Sequence, residues 1–110
     1  MSDHPLIRRE GDLQWEITQE ALDAAAAAAA TSVEGVEVPD RRLAGALRRT
    51  HAVEVAETSL RVSLGVVCRY GVVLPTAGAA VQAVVAERLA RLTGLEVERV
   101  DVTVLAVTRT

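Results

Sequence analysis

The last third of the chain, residues 70–107, constrains the fold most strongly, because it carries the signals of a strand–helix–strand unit. Pro75 fits the first turn of a helix, where its missing N–H costs no hydrogen bond, and Gly94 fits the end of that helix. Apolar residues recur between them at helical spacing and predict a core stripe: Val81, Val84, Val85, Leu89 and Leu92. The segment contains no residue suited to catalysis.

Alternating apolar and polar residues predict three strands in the second half of the chain. The strongest alternation runs over residues 59–70, and with residues 51–56 it predicts a β-hairpin across Glu57-Thr58. One face of that strand should lie in the core: Leu60, Val62, Leu64, Val66, Cys68 and Tyr70. In the final strand one predicted face holds Val100, Val102, Val104 and Ala106, and the other holds Asp101, Thr103, Leu105 and Val107.

The first half of the chain predicts a short strand followed by a helix. Residues 13–17 alternate as a half-buried strand does. Thr18 is a good helix N-cap, and Glu20 and Asp23 are placed where the helix dipole favours acids. The helix should continue through the alanine run at residues 24–30 and end near Gly35. That run is either a low-complexity accident or a surface that lets another element approach closely.

The predicted order of elements is strand, helix, strand, strand, helix, strand (β-α-β-β-α-β). Two helices on one face of a mixed sheet give an α+β fold, a two-layer sandwich. The length of 110 residues fits one domain, assigned to residues 12–110, with residues 1–11 as a mobile N-terminal tail. The other sheet face should be polar and open to water or a partner: Glu54, Arg61, Ser63, Arg69, Asp101 and Thr103.

Composition excludes several classes of protein. All twelve basic residues are Arg, and Lys, Asn and Phe are absent, which indicates a GC-rich bacterial genome. The net charge of −3 gives no drive toward nucleic acid or anionic lipid. No signal-peptide pattern is present, and no apolar run approaches the roughly 18–20 residues of a membrane span. We therefore expect a cytoplasmic protein without direct membrane insertion.

Each candidate for a catalytic, metal or cofactor site fails on physical grounds. Ser63 lacks the first glycine of a nucleophile elbow, a P-loop needs the lysine that the chain lacks, and the dinucleotide fingerprint is absent. His4, His51 and Cys68 are the only soft metal ligands, and Cys68 alternates with core residues. Acidic pairs in or beside strands fit a solvated face: Glu54 with Glu57 and Glu96 with Glu98. We predict no catalytic residue, no metal and no cofactor.

Four arginines within nine residues form the one local concentration of charge: Arg41, Arg42, Arg48 and Arg49. Such a cluster can bind phosphate, an acidic partner or RNA. The Gly-x-x-Gly loop of one RNA-binding class is missing, and so are the sheet aromatics of another, so no nucleic-acid partner is predicted. The favoured interpretation is a solvated connector. The alternative is a partner interface formed by these four residues together with Arg61 and Arg69.

Several motifs together resemble the alkaline shock protein family of envelope stress proteins. They are Tyr70-Gly71-x-x-Leu74-Pro75, Val81-Gln82-x-x-Val85, Thr93-Gly94-Leu95-Glu96-Val97 and Val100-x-Val102-x-Val104. In the first half, Ile17-Thr18 and Val33-Glu34-Gly35-Val36 are similar to the family's strand–helix opening and helix end. The resemblance covers about residues 13–107. It departs at residues 41–49, where a Gly-rich or Lys-rich connector is expected.

The resemblance implies a protein that is not an enzyme and has no catalytic residues to carry over. It implies a non-catalytic, stress-associated cytoplasmic scaffold or adaptor that forms homo-oligomers. It also implies docking to a small membrane-anchored relative, which would hold the protein at the inner face of the membrane. The alternative is a regulatory subunit controlling a metabolic enzyme, such as one of lipid synthesis. That alternative predicts stoichiometric co-purification with the enzyme rather than self-assembly.

Overall fold

The computed structural model describes residues 6–10, 13–39, 51–56 and 58–109. In these ranges the chain forms six strands and two helices. In chain order they are β1 (Leu6–Glu10), β2 (Leu13–Ile17), α1 (Gln19–Thr31), β3 (Val36–Glu37), β4 (His51–Val55), β5 (Ser59–Arg69), α2 (Leu74–Thr93) and β6 (Glu96–Thr108). The predicted α+β class is confirmed, and strands β1 and β3 are additions to the predicted order.

Strand β5 is the centre of a mixed sheet. On one edge it pairs antiparallel with β4, as the predicted hairpin requires, and then with the short β3. On the other edge it pairs parallel with β6 along its whole length. The connection from β5 to β6 runs through α2, which completes the predicted strand–helix–strand unit. Strand β6 is an edge strand, since its outer side pairs with none of the described strands.

Strands β1 and β2 form a separate antiparallel pair, with Leu6 opposite Ile17 and Glu10 opposite Leu13. Strand β1 lies within residues 1–11, the stretch predicted to be a mobile tail. In the structure, residues 6–10 of that stretch pair with β2. The sequence of β1 places two apolar residues before two basic ones and does not alternate. The available signal is the Gly11-Asp12 dipeptide between the strands, since two-residue hairpin loops favour such residues.

Helix α1 begins as predicted and ends early. The Ala21 N–H donates to Thr18 Oγ1 at 3.1 Å, so Thr18 is the N-cap. The last helical residue is Thr31, and the Ser32 N–H and hydroxyl both donate to the carbonyl of Ala29. These bonds satisfy a carbonyl that the helix end would otherwise leave without a partner. The helix therefore ends at Thr31, four residues before Gly35, the glycine near which the sequence predicted its end.

The core lies between the two helices and one face of the sheet. Five predicted β5 residues are buried, and Tyr70 is the exception because it follows the last residue of the strand and is 66% exposed. On α2 the buried stripe is Ala77, Val81, Val85, Leu89 and Thr93. Leu92 was predicted for the core and is 49% exposed, since the i, i+4 spacing reaches Thr93 instead.

The alanine run on α1 contributes to the core. Ala26, Ala29 and Ala30 have no exposed surface, and Ala24 and Ala28 face solvent. Helix α1 packs against α2 and against the sheet. A methyl side chain keeps the distance between packed elements short, so three of the seven alanines act as a close-approach surface.

A β-bulge in β6 changes which side chains face the core. Val66 lies opposite Val104, but the next residue of β5, Val67, lies opposite Ala106. Leu105 is therefore an extra residue, and Val107 lies opposite Cys68 on the helix side. The predicted alternation is wrong beyond Val104, because it placed Ala106 on the same face as Val104 and placed Val107 on the opposite face.

Candidate partner interface

The sheet face that points away from the helices carries the polar residues that the sequence placed there. Arg61, Ser63 and Arg69 of β5 are exposed, because their neighbours in the alternation point into the core. On the flanking strands the exposed residues include Glu54, Asp101 and Thr103. The polar, wettable face is therefore present, and its charges decide what it can bind.

Arg61 is partly engaged by an acid from β6. Its Nε lies 3.6 Å from Oε2 of Glu98, which also accepts a hydrogen bond from the Ser59 hydroxyl at 3.1 Å. Both charged side chains are more than half exposed, at 57% and 52%. An exposed ion pair of this kind contributes about 0–1 kcal/mol, so a partner's carboxylate can replace Glu98 at little cost.

A second acid–base pair lies beside the first. Arg99 donates from Nε to Oδ1 of Asp101 at 2.9 Å. This hydrogen bond and the negative charge of Asp101 raise the pKa of Arg99 above its ordinary value. Arg99 lies opposite Arg61 in the strand register, and each of the two arginines has an acid beside it, Glu98 for Arg61 and Asp101 for Arg99, so this surface carries both signs of charge. Such balanced charge favours a protein partner over a polyanion.

Arg69 lies at the far end of β5 and borders a cleft of about 320 Å³. The other residues around the cleft are Thr31, Val33, Glu34, Gly35, Val36 and Glu37. Seven residues of extended chain lie between Arg61 and Arg69, and the eight steps along the strand span about 26 Å. The structure therefore places the two predicted interface residues on one face but does not bring them into one site.

Arg41, Arg42, Arg48 and Arg49 lie outside the described residues, so their role in an interface stays a prediction. In the described part of the chain, no group of three or more His, Cys, Asp or Glu residues could hold a metal ion. Cys68 is 1% exposed and belongs to the core, as its alternation predicted. Among the described helices, none is long and apolar enough to span a membrane.

The sequence patterns missed a group of exposed apolar side chains, here named the apolar end patch. It lies where β5 and β6 end and α2 begins: Tyr70 (66% exposed), Val73 (65%), Leu74 (38%), Val104 (37%), Leu105 (49%) and Val107 (45%). The Tyr70 N–H donates to the Thr108 carbonyl, and the Arg109 guanidinium lies 5.3 Å from the Tyr70 ring centroid. The uncharged run at residues 103–108 was the available signal.

Comparison with known families gives one result. A family model matches residues 8–109, and its description is Asp23 family, cell envelope-related function. The family name refers to alkaline shock protein and has no connection with residue 23 of this chain. The family is not known as an enzyme family. Searches of the curated proteins and of the solved structures returned no match.

Proposed function

The chain belongs to the Asp23 family, whose function is related to the cell envelope, and we propose that it is a non-catalytic, stress-associated scaffold or adaptor. In this proposal the protein associates with itself and docks to a small membrane-anchored partner. It works in the cytoplasm, peripheral to the inner face of the membrane through that partner. No nucleic acid or cofactor takes part.

The observation that carries the proposal is the apolar end patch. Six large apolar side chains between 37% and 66% exposed belong to the ends of β5 and β6 and to the start of α2. A concentration of exposed apolar side chains of this kind is costly in water and favours an interaction site. The polar sheet face supports the same conclusion, because its weak exposed ion pairs can exchange for pairs with a partner.

Sedimentation velocity of the purified chain tests self-association over about a hundredfold range of concentration. We expect a shift from monomer to dimer or larger species as concentration rises, since burying apolar area drives association. A monomer throughout this range would contradict the scaffold. It would favour a regulatory subunit instead, detected as stoichiometric co-purification with a metabolic enzyme.

The docking half of the proposal predicts an effect of the arginine cluster. We expect Arg41→Glu with Arg42→Glu, and separately Arg48→Glu with Arg49→Glu, to reduce crosslinked capture of a membrane-anchored partner by at least about tenfold, since like-charge contacts cost several kcal/mol. Capture is quantified from detergent-solubilised membranes.

The matched control reverses the same number of charges on the exposed side of α2, through Arg88→Glu with Arg91→Glu. This control should capture the partner as the wild-type protein does. Equal capture by all four proteins would remove the arginine cluster from the proposed interface and leave Arg61 and Arg69 as the remaining candidates.

A further inference from the structure

We propose that the outer edge of β6 between Thr103 and Thr108 pairs antiparallel with the same segment of a second copy of this chain. The inference rests on the proposed self-association and assigns a surface and a geometry to it. The inference is drawn from the contrast between the protected and unprotected parts of the two sheet edges.

The outer edge of β4 is closed by side chains from α1. Gln19 donates from Nε2 to the Val53 carbonyl at 2.6 Å, and the Val53 N–H donates to Oδ1 of Asp23 at 3.0 Å. These are the two backbone groups that an added strand would use at this position. Because both are occupied, β4 is blocked at Val53 as a template for another strand.

The first half of β6 is protected in two ways. Its exposed side chains include four charged groups, which oppose edge-to-edge pairing: Glu96, Glu98, Arg99 and Asp101. In addition, Gln82 of α2 donates from Nε2 to the Val100 carbonyl at 3.0 Å. Exposed charges and the Gln82 hydrogen bond to the backbone therefore oppose the pairing of another strand with the first half of this edge.

Among the described residues, the second half of β6 has neither protection. Residues 103–108 carry no charge and no proline, and all six are exposed. A six-residue uncharged edge rich in Val, Leu and Thr is the pattern that pairs with another strand. Its outer side pairs with none of the described strands. The unprotected segment coincides with the β6 part of the apolar end patch.

The bulge at Leu105 makes this segment complementary to itself. A two-fold axis passing between Leu105 and Ala106 pairs Val104 with the partner's Val107, and Thr103 with the partner's Thr108. In a regular strand, residues three apart point to opposite faces. Here the bulge puts Val104 and Val107 on the same helix-side face, opposite Val66 and Cys68. Valine therefore lies opposite valine on the helix-side face of the joined sheet, and threonine lies opposite threonine on the other face.

The exposed apolar residues of this segment suit a second copy. Val104, Leu105 and Val107 are between 37% and 49% exposed, and a two-fold pairing covers the same three residues on both copies. No charged residue of β6 is buried by this pairing, since the charged half lies outside it.

The test is sedimentation velocity of variants at two leucines that are equally exposed in the wild-type protein. Leu105 lies on the proposed interface and Leu92 lies on α2, and each is 49% exposed. We expect Leu105→Arg to raise the dimer dissociation constant by about a hundredfold, because two arginines then meet near the axis. Leu92→Arg should associate as the wild-type protein does. Circular dichroism and urea denaturation establish that each variant is folded.

A mixing experiment tests the two-fold geometry directly. Leu105→Arg and Leu105→Glu should each be monomeric alone, and a one-to-one mixture should form dimers because opposite charges then face each other. Folded variants that do not associate on mixing would overturn an axis near Leu105. Undiminished association of Leu105→Arg would overturn the β6 interface and leave the scaffold intact. A wild-type chain that stays monomeric would contradict both.

Discussion

Urea denaturation of Asp23→Ala is expected to give a free energy of unfolding about 2–3 kcal/mol below that of the wild-type protein. Asp23 is 2% exposed, and its carboxylate accepts hydrogen bonds from the Val53 N–H and from Gln19 Nε2, each at 3.0 Å. Alanine would leave the Val53 N–H buried without this acceptor. A buried donor that loses its partner costs more than the average hydrogen bond contributes.

Two further variants show whether loss of the hydrogen bond to Val53 causes the lower free energy of unfolding. Glu20→Ala removes an exposed acid from the same helical turn, so it reports the helix-dipole contribution alone, about 0.3–1 kcal/mol. Asp23→Asn keeps an oxygen that can accept from Val53 and should lie between the two alanine variants. If Asp23→Ala cost no more than Glu20→Ala, the bond to Val53 would not hold α1 onto β4.

Asp23 also makes a contact that the sequence patterns could not predict. Its position early in α1 indicated a favourable interaction with the helix dipole, which is a local property. Its partner Val53 lies 30 residues away on an edge strand. Helical periodicity contains no information about such a contact, because it depends on how α1 lies across the sheet.

Local signals predicted most of the elements. The hairpin of β4 and β5, the Thr18 cap, and α2 with Pro75 near its start and Gly94 at its end all follow from patterns within a few residues. Gly94 has φ 76°, the left-handed conformation that a helix C-cap glycine commonly takes. These features could be derived because both the residues and their structural partners are close in sequence.

Features that depend on pairing between distant strands could not be derived. The bulge at Leu105 arises from the register between β6 and β5, and that register exchanged the faces of Ala106 and Val107. The order of strands in the sheet is a property of the same kind. The candidate site was affected most, because the predicted alternation put Val107 on the face of Asp101 and Thr103, whereas the bulge puts it on the helix side opposite Cys68.

The second large effect is expected for Gly35→Ala, which should lower the free energy of unfolding by about 2–4 kcal/mol through backbone strain and overpacking. Gly35 has φ 81°, which L side chains rarely adopt. A Cβ there would lie 2.5 Å from Cγ2 of Val72. Valine is stiff about χ1, so relief of this contact requires movement of the turn after β5. Urea denaturation measures the loss.

Gly71→Ala separates backbone strain from overpacking as causes of the lost stability. Gly71 has φ 99°, but a Cβ there would meet no atom within 4 Å, so this variant carries the conformational strain alone, about 1–2 kcal/mol. Val72→Ala removes the clashing methyl group but also loses packing against the core, so the cost of Gly35→Ala is measured again in that background. There Gly35→Ala should cost only as much as Gly71→Ala does in the wild-type protein. Equal losses for Gly35→Ala and Gly71→Ala would mean that Val72 moves aside freely.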